Sequence, residues 1–301
     1  MSLLVTGSMA LDTITTPHGT REAVLGGAAS FFSVGARHFT DVRLVAVIGD
    51  DFPDEHVAML RDRGIDIEGL ERRAGAKTFR WTGRYAGRMD VAETLDTQLN
   101  VLGEFKPTLP GKFTDTPFAF LANGDPVTQA WVRDQLSPNA FVFLDTMNFW
   151  IEGSRDALLE AIRKVNGVVM NDDEARALGG SDNLIASVNR IADMGVSTLV
   201  VKKGEHGAIL MKDGELFALP AYPLEAVFDP TGAGDTFASG FMGAVAESGD
   251  TTFQGLKRAL AYGTVVASFT VEGFGLERLL EIDREEIDRR LEVFLKFTGW
   301  E

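Results

Sequence analysis

Residues 229–241 read Asp-Pro-Thr-Gly-Ala-Gly-Asp-Thr-Phe-Ala-Ser-Gly-Phe, a glycine turn that runs into a helix with a carboxylate at the junction. Gly232 and Gly234 permit a tight backbone path and leave room for a ligand. The first N–H groups of a helix lack internal partners and lie at the positive end of its dipole, so such a turn cradles anions. Asp235 would repel a phosphate that is merely held there. It suits a reaction in which a hydroxyl loses its proton while attacking phosphorus. The stretch therefore predicts a small-molecule kinase with Asp235 as base. The competing reading makes Asp235 an N-cap in an ordinary turn; it would suffice for a lone Gly-Ala-Gly-Asp, and the longer string favours function. Neither a P-loop nor the three-glycine dinucleotide fingerprint occurs.

The chain has 301 residues, 45% apolar and 24% charged, enough for one large α/β domain or a domain with an appendage. Its net charge of −15 argues against nucleic acid or anionic membranes as partners. Nucleotides stay open, because backbone amides, a lysine and a divalent metal can hold phosphates locally. With no cysteine there is neither disulfide nor thiolate metal site. No apolar run is long enough to span a bilayer and no basic region precedes an apolar one at the start, so a cytoplasmic protein is expected.

Short apolar runs alternate with amphipathic stretches, which predicts a mainly parallel sheet covered on both faces. Strands are expected at Leu3–Thr6, Arg43–Ile48, Phe118–Ala122, Phe141–Asp145, Gly167–Met170, Thr198–Lys202 and Ala208–Met211. Ser154 is expected to cap a helix carrying Leu158, Leu159, Ile162 and Val165 and ending at Gly167. Ser181 or Asp182 is expected to open another, with Leu184, Ile185, Val188 and Ile191, stopped by Gly195. Asp283 and Glu286 have capping-box spacing. Segments 13–25 and 77–102 read as strands without helices between them and predict a small β-sheet, either a lid that excludes water or a decorative edge and dimer contact.

With these motifs in place, the chain resembles the ribokinase-like carbohydrate kinases, also called the phosphofructokinase-B group. The resemblance rests on Gly-Ser-Met-Ala-Leu-Asp (7–12), Gly-Gly-Ala-Ala-Ser (26–30), Asn-Asp-Asp-Glu (171–174), Val-Val-Lys-Lys-Gly-Glu-His-Gly (200–207) and the stretch at 229–235, in the family's order. It implies a single three-layer α/β/α ribokinase-like domain over 1–301 with a small β lid at about 13–25 and 77–102. It implies Asp235 as the base and Gly232, Ala233 and Gly234 as the anion hole for the migrating phosphoryl group. Asn171 and Glu174 match an Asn-x-x-Glu element near Mg²⁺, acting largely through water; an ordinary helix cap with Glu174 as its N3 partner is the reading without the resemblance. Lys202, Gly204 and Gly207 match the ATP side. Asp229 and Thr231 match positions that in several relatives help hold a monovalent cation such as K⁺, completed by backbone around Glu272–Gly275. Asp12, Gly26 and Gly27 match the substrate edge. Ribokinase has a lysine and an asparagine where this chain has Ala28 and Phe31, which puts ribose in doubt and makes Phe31 a candidate substrate contact, with a core role as the alternative.

The expected activity is ATP-dependent phosphorylation of a hydroxyl on a small sugar or sugar derivative. The alternative is a nucleoside kinase, suggested by Phe79, Trp81 and Tyr85 in the lid segments and by Phe149 and Trp150, since aromatic faces stack on bases. A third reading is a non-catalytic sensor on the same fold; retention of Asp235, both loop glycines, Asn171 and Glu174 argues against it. Arg80, Arg84 and Arg88 either meet an acidic substrate or are plain surface residues. The outer face of the lid offers a homodimer surface.

Overall fold

The computed structural model describes residues 1–300; Glu301, the end of the expected 1–301 domain, lies outside them. The chain begins with β1 (Ser2–Thr6), β2 (Ala10–Thr16), β3 (Gly19–Gly26), α1 (Ala28–Ala36), β4 (Asp41–Gly49) and α2 (Asp54–Asp62). It continues through β5 (Asp66–Arg73), β6 (Arg80–Tyr85), β7 (Ala92–Gln98), β8 (Phe118–Leu121), α3 (Pro126–Gln135) and β9 (Phe141–Asp145). Next come α4 (Asn148–Gly153), α5 (Arg155–Ile162), β10 (Gly167–Asn171), α6 (Asp172–Gly179), α7 (Leu184–Asp193) and β11 (Thr198–Lys202). Last are β12 (Ala208–Lys212), β13 (Glu215–Leu219), α8 (Ala233–Ser248), α9 (Phe253–Thr270), α10 (Glu277–Glu281) and α11 (Arg284–Thr298).

Nine strands form the main sheet in the order β13-β12-β11-β10-β9-β8-β1-β4-β5. All pair in parallel except β11–β12 and β12–β13, which are antiparallel. Strand residues alternate between two apolar layers. Leu3, Val5, Val169 and Val200 face α1, α8, α9 and α11, whereas Leu4, Val168, Met170 and Val201 face α3, α5, α6 and α7. Both faces are thus buried, as crossover helices require of a parallel sheet. Stacked Phe32 and Phe120 rings, 4.5 Å apart, join α1 to the centre of the sheet. From β1 the chain first builds outward to β4 and β5, then returns to the other side of β1 with β8. Ligands of open α/β sheets bind at the carboxyl ends of strands near such a reversal.

A second sheet, β3-β2-β6-β7, stands apart from the first. It joins the body at Asp51, which accepts from Thr78 N and pairs with Arg80 at 2.8 Å, and it is closed within itself by Leu11 N–H donating to Phe79 O at 3.1 Å.

Some boundaries differ from expectation. The helix after Ser154 ends at Ile162, and Ser154 makes no side-chain cap bond. Val165 lies in the turn that carries the chain into β10, which begins at Gly167. The helix α7 is capped by Asn183, whose side chain accepts from Ala186 N at 3.0 Å, so neither Ser181 nor Asp182 is its cap. Ile185 on that helix is 40% exposed and leaves the core to its neighbours. Asp283 accepts from Glu286 N, but the Glu286 carboxylate turns to Arg278 and closes no capping box. Two strands escaped the pattern. The outermost β5 has charged residues along its length and β13 is half exposed, so neither reads as an apolar run.

Candidate active site

Three neighbouring parallel strands end in polar residues at one edge of the main sheet. Asp145 closes β9, Asn171 closes β10 and Lys202 closes β11, with Asn171 and Lys202 directly opposite each other in register. Lys202 Nζ lies 3.1 Å from Asp145 Oδ2, and both side chains are largely buried. The helix after Asn171 opens with a full capping box. Glu174 N donates to Asn171 Oδ1 at 2.8 Å, and Asn171 N donates to Glu174 Oε2 at 2.7 Å. The capping role holds, and it fixes the Glu174 carboxyl beside Asp145 and Lys202.

The glycine turn meets this cluster from the other helix layer. Gly232 has φ 76°, a left-handed conformation, and α8 starts at the next residue. A methyl group at Gly232 would lie 2.4 Å from the Phe31 ring, so only glycine fits. Phe31 is 1% exposed and supports the turn from beneath; this corrects its reading as a substrate contact. Ala233 N–H donates back to Pro230 O at 3.1 Å, so the outward donors of the first turn are the amides of Gly234 and Asp235. A methyl placed on Gly234 would stand 3.0 Å from Lys202 Nζ, which puts the ammonium against the turn.

Asp229 fastens the turn. It is fully buried, accepts from Thr231 N at 2.9 Å through Oδ1, and accepts from Gly275 N at 2.9 Å through Oδ2. Oδ1 thus closes the 229–235 loop on itself, and Oδ2 joins it to the 272–275 loop.

Charge is unbalanced here, with several carboxyl groups and one lysine. Burial pushes Asp235 up to about 7, the charge of Asp145 adds to this, and Lys202 opposes it. Glu174 is also pushed up to about 7 by burial and then by Asp145. Burial raises Asp145 as well, against the pull of Lys202. Burial alone would lower Lys202, but Asp145, Glu174 and Asp235 outweigh it and hold the ammonium charged.

Asp12 occupies a second corner, on β2 where the small sheet approaches α1. Its carboxylate lies over the backbone of Gly26, with Gly27 at the N-terminus of α1. Burial pushes it up to about 7, partly offset by the backbone amides of Gly27 and Trp81 and augmented by Asp235 and Asp229. Its Oδ1 is buried without a hydrogen-bond partner. An orphaned buried carboxylate oxygen is costly unless a ligand satisfies it.

The remaining expected residues divide. Gly204 is exposed at the lip of the β11–β12 turn. Gly207 is buried against the Leu219 carbonyl, so its small size serves chain packing. Phe149 is 61% exposed, and Trp150 is tied to Asn123 Oδ1 at 3.2 Å. Asp145 was not singled out from the sequence; its signal is a carboxylate at the carboxyl end of a parallel strand. A surface hollow of about 230 Å³ lined by Lys106, Trp131 and Glu160 contains none of these groups.

The profile of the pfkB family carbohydrate kinases matches residues 130–282, half of the chain and the part that carries Asp145, Asn171, Lys202 and the glycine turn. The chain is a member of the pfkB carbohydrate kinase family. This pfkB kinase is 29% identical over 249 residues to the cytidine kinase of Thermococcus kodakarensis, covering 80% of this chain and 87% of that one. Its fold matches the crystal structure of the Methanocaldococcus jannaschii nucleoside kinase, an archaeal ribokinase-family member, with TM-score 0.81 and 24% identity over 97% and 98% of the two chains. It matches an Escherichia coli putative ribokinase II in complex with ATP and Mg²⁺ with TM-score 0.81 and 18% identity, over 97% and 99%. The fold of this pfkB kinase is thus ribokinase-like, and its activity is ATP-dependent phosphorylation of a sugar or nucleoside. Among the described residues no helix is long and apolar enough to cross a membrane.

Proposed function

We propose that this kinase phosphorylates the primary hydroxyl of a ribonucleoside, with Asp235 as general base. The observation that carries the reading is the pairing of Asp12, whose buried Oδ1 lacks a partner, with an aromatic-bearing roof strand, β6. A carboxylate accepts two hydroxyl hydrogen bonds and so suits a ribose diol. Trp81 on β6 supplies apolar surface of the kind a base requires. The relatives named cytidine kinase and nucleoside kinase support the same acceptor class. A free sugar is the second reading, since the Asp12 corner serves any vicinal diol.

In this reading Asp12, Gly26 and Gly27 orient the acceptor and the small sheet closes over it. Asp235 takes the hydroxyl proton as the oxygen attacks the γ-phosphorus. The amides of Gly234 and Asp235, with Lys202, receive the charge that develops on the migrating group. Among the described residues no three carboxylate or imidazole groups gather tightly enough to hold a metal by themselves. That fits Mg²⁺, which keeps several waters and leans on phosphates, with Glu174 and Asn171 at its edge. When bound, the ion would offset phosphate charge beside these carboxyls. K⁺ at this corner would draw on Asp229 and Thr231, each Asp229 oxygen keeping a lone pair beside its one hydrogen bond, together with backbone carbonyls of the two joined loops. One kinase domain over 1–301, a cytoplasmic location and a homodimer through the outer face of the lid belong to the same proposal.

The test is a panel of cytidine, uridine, adenosine, inosine, ribose and fructose, followed by ADP release with MgATP. Nucleosides should give the higher kcat/KM. Activity confined to free sugars would overturn the acceptor assignment, and binding without transfer would favour the sensor reading. Asp235→Asn should keep ATP binding and lose about 10²- to 10⁴-fold in kcat, the usual worth of a positioned base. Near-normal turnover would remove Asp235 from the chemistry.

A further inference from the structure

The small sheet is fastened to the glycine-turn region at three points. Thr231 Oγ1 donates to the Tyr85 hydroxyl at 3.3 Å. His18, in the β2–β3 turn, packs on Phe228 with ring centroids 4.7 Å apart. Arg21 on β3 lies over the Phe274 ring at 4.4 Å, with Glu277 at 3.9 Å. These contacts fall on both loops that Asp229 ties together, because Phe228 and Thr231 flank Asp229 while Phe274 adjoins Gly275. They are not equivalent. His18, Arg21 and Phe228 are exposed, so water replaces those contacts at little cost. Thr231 is buried and Tyr85 half-buried, and a lost bond there strands two polar groups. Only the Tyr85 contact ends on the residue next to Gly232, where the chain turns left-handed to aim its amides.

We propose that Tyr85 is a positioning residue, a latch whose hydroxyl holds the small sheet against Thr231 so that a closed roof and a formed anion cradle occur together. The latch rests on the kinase reading above and adds a device to it: phosphoryl transfer becomes efficient only when the roof over the acceptor is down and water is out. Tyr85 itself does no proton chemistry. Burial pushes its hydroxyl up to about 12, with Asp229, Asp12 and Asp235 adding to the effect and the Thr231 bond opposing it, so it stays neutral throughout the working pH range. The side chain sits at the last residue of β6, opposite Ala92 of β7, where a pull on the roof strand is transmitted directly to the turn.

The test separates the latch from the kinase reading. Tyr85→Phe keeps the ring and removes the hydroxyl; Thr231→Val keeps the shape and removes the donor. Amide hydrogen exchange of the 229–235 segment, in protein without added ligand, should quicken by about fivefold in either variant. The double variant should exchange no faster than either single one. With MgATP and the best nucleoside of the panel, ADP formed in excess of the nucleoside phosphorylated should rise by a similar factor in Tyr85→Phe, while the KM for ATP stays unchanged. Unchanged exchange in both variants, or additive effects in the double variant, would overturn the latch. A wild-type protein that phosphorylates nothing in the panel would instead sink the kinase reading, and the exchange experiment would still decide the latch.

Discussion

As the proposed general base, Asp235 lies between two neighbours of opposite sign, and the balance between them sets its proton affinity. Burial and the Asp145 charge push it up to about 7, and Lys202 opposes them. A base poised there is ionised over much of the physiological range yet still holds a proton firmly. Because the ionised form is the active one, kcat/KM should rise with pH through about 7 and level off above it. Asp145→Asn removes the charge that raises Asp235 and leaves Lys202 unopposed. Both changes favour the carboxylate, so the acid limb of the profile should move to lower pH by roughly one unit. The pH dependence of kcat/KM for the two proteins measures this; an unmoved limb would show that Asp145 does not act on the base. Asp235, Asn171, Glu174 and Lys202 were legible because each sits in a short motif. Asp145 was not, because the side chain that gives it meaning, Lys202, is 57 residues away in sequence. Phe31 misled for the opposite reason: an aromatic replacing a polar contact reads as a new ligand surface, and only packing shows the ring under Gly232.

At the scale of elements, the turn from residue 229 into α8 is the one most constrained by its own sequence. Gly232 must be left-handed, which costs other residues about 1–2 kcal/mol, and its neighbour Phe31 leaves no room for a methyl group. Gly232→Ala should therefore lower the melting temperature by several degrees and, in the proposed mechanism, cut kcat at least about tenfold, because the strain is relieved by moving the amides proposed to receive the phosphoryl group. Circular-dichroism melts and initial rates check this; a variant with normal melting and normal turnover would mean the turn tolerates a wider path. Parallel strands β1, β4, β8, β9, β10 and β11 were readable as apolar runs since both their faces are buried. The outer strand β5 was not, because Asp66, Glu68, Glu71 and Arg72 lie along it and only part of one face is covered. The helix from Arg155 was read too long because Val165 keeps its apolar spacing, whereas the chain must turn after Ile162 to start β10 at Gly167. Apolar periodicity reports burial, and burial continues through a turn that dihedral angles do not.

The whole molecule has a charge of −15 and concentrates several carboxyl groups around its cleft, so its stability should depend on pH in an unusual direction. Asp12, Glu174 and Asp235 are each pushed up to about 7 by burial, and so bind protons more tightly folded than unfolded. Their contribution is complete below the ordinary carboxylate range near 4 and is lost as pH rises through about 7. His38 works against them. Burial and Arg37 push it down to about 4, so it costs stability as pH falls below its ordinary value of 6.5. His56 is lowered by burial in the same sense. Three carboxyls outweigh two imidazoles between pH 5 and 6.5, and above 6.5 the carboxyls act alone. The ligand-free protein should therefore melt at a higher temperature at pH 5.5 than at pH 8. Asp235→Asn should shrink the difference, because it removes one of these like contributions, to which the burial-raised Asp145 adds. Scanning calorimetry of both proteins at both pH values measures both effects. A melting temperature that rises from pH 5.5 to 8 in the free protein would mean that the cleft carboxyls ionise as readily as exposed ones, and that the electrostatic tension around Asp235 is absent.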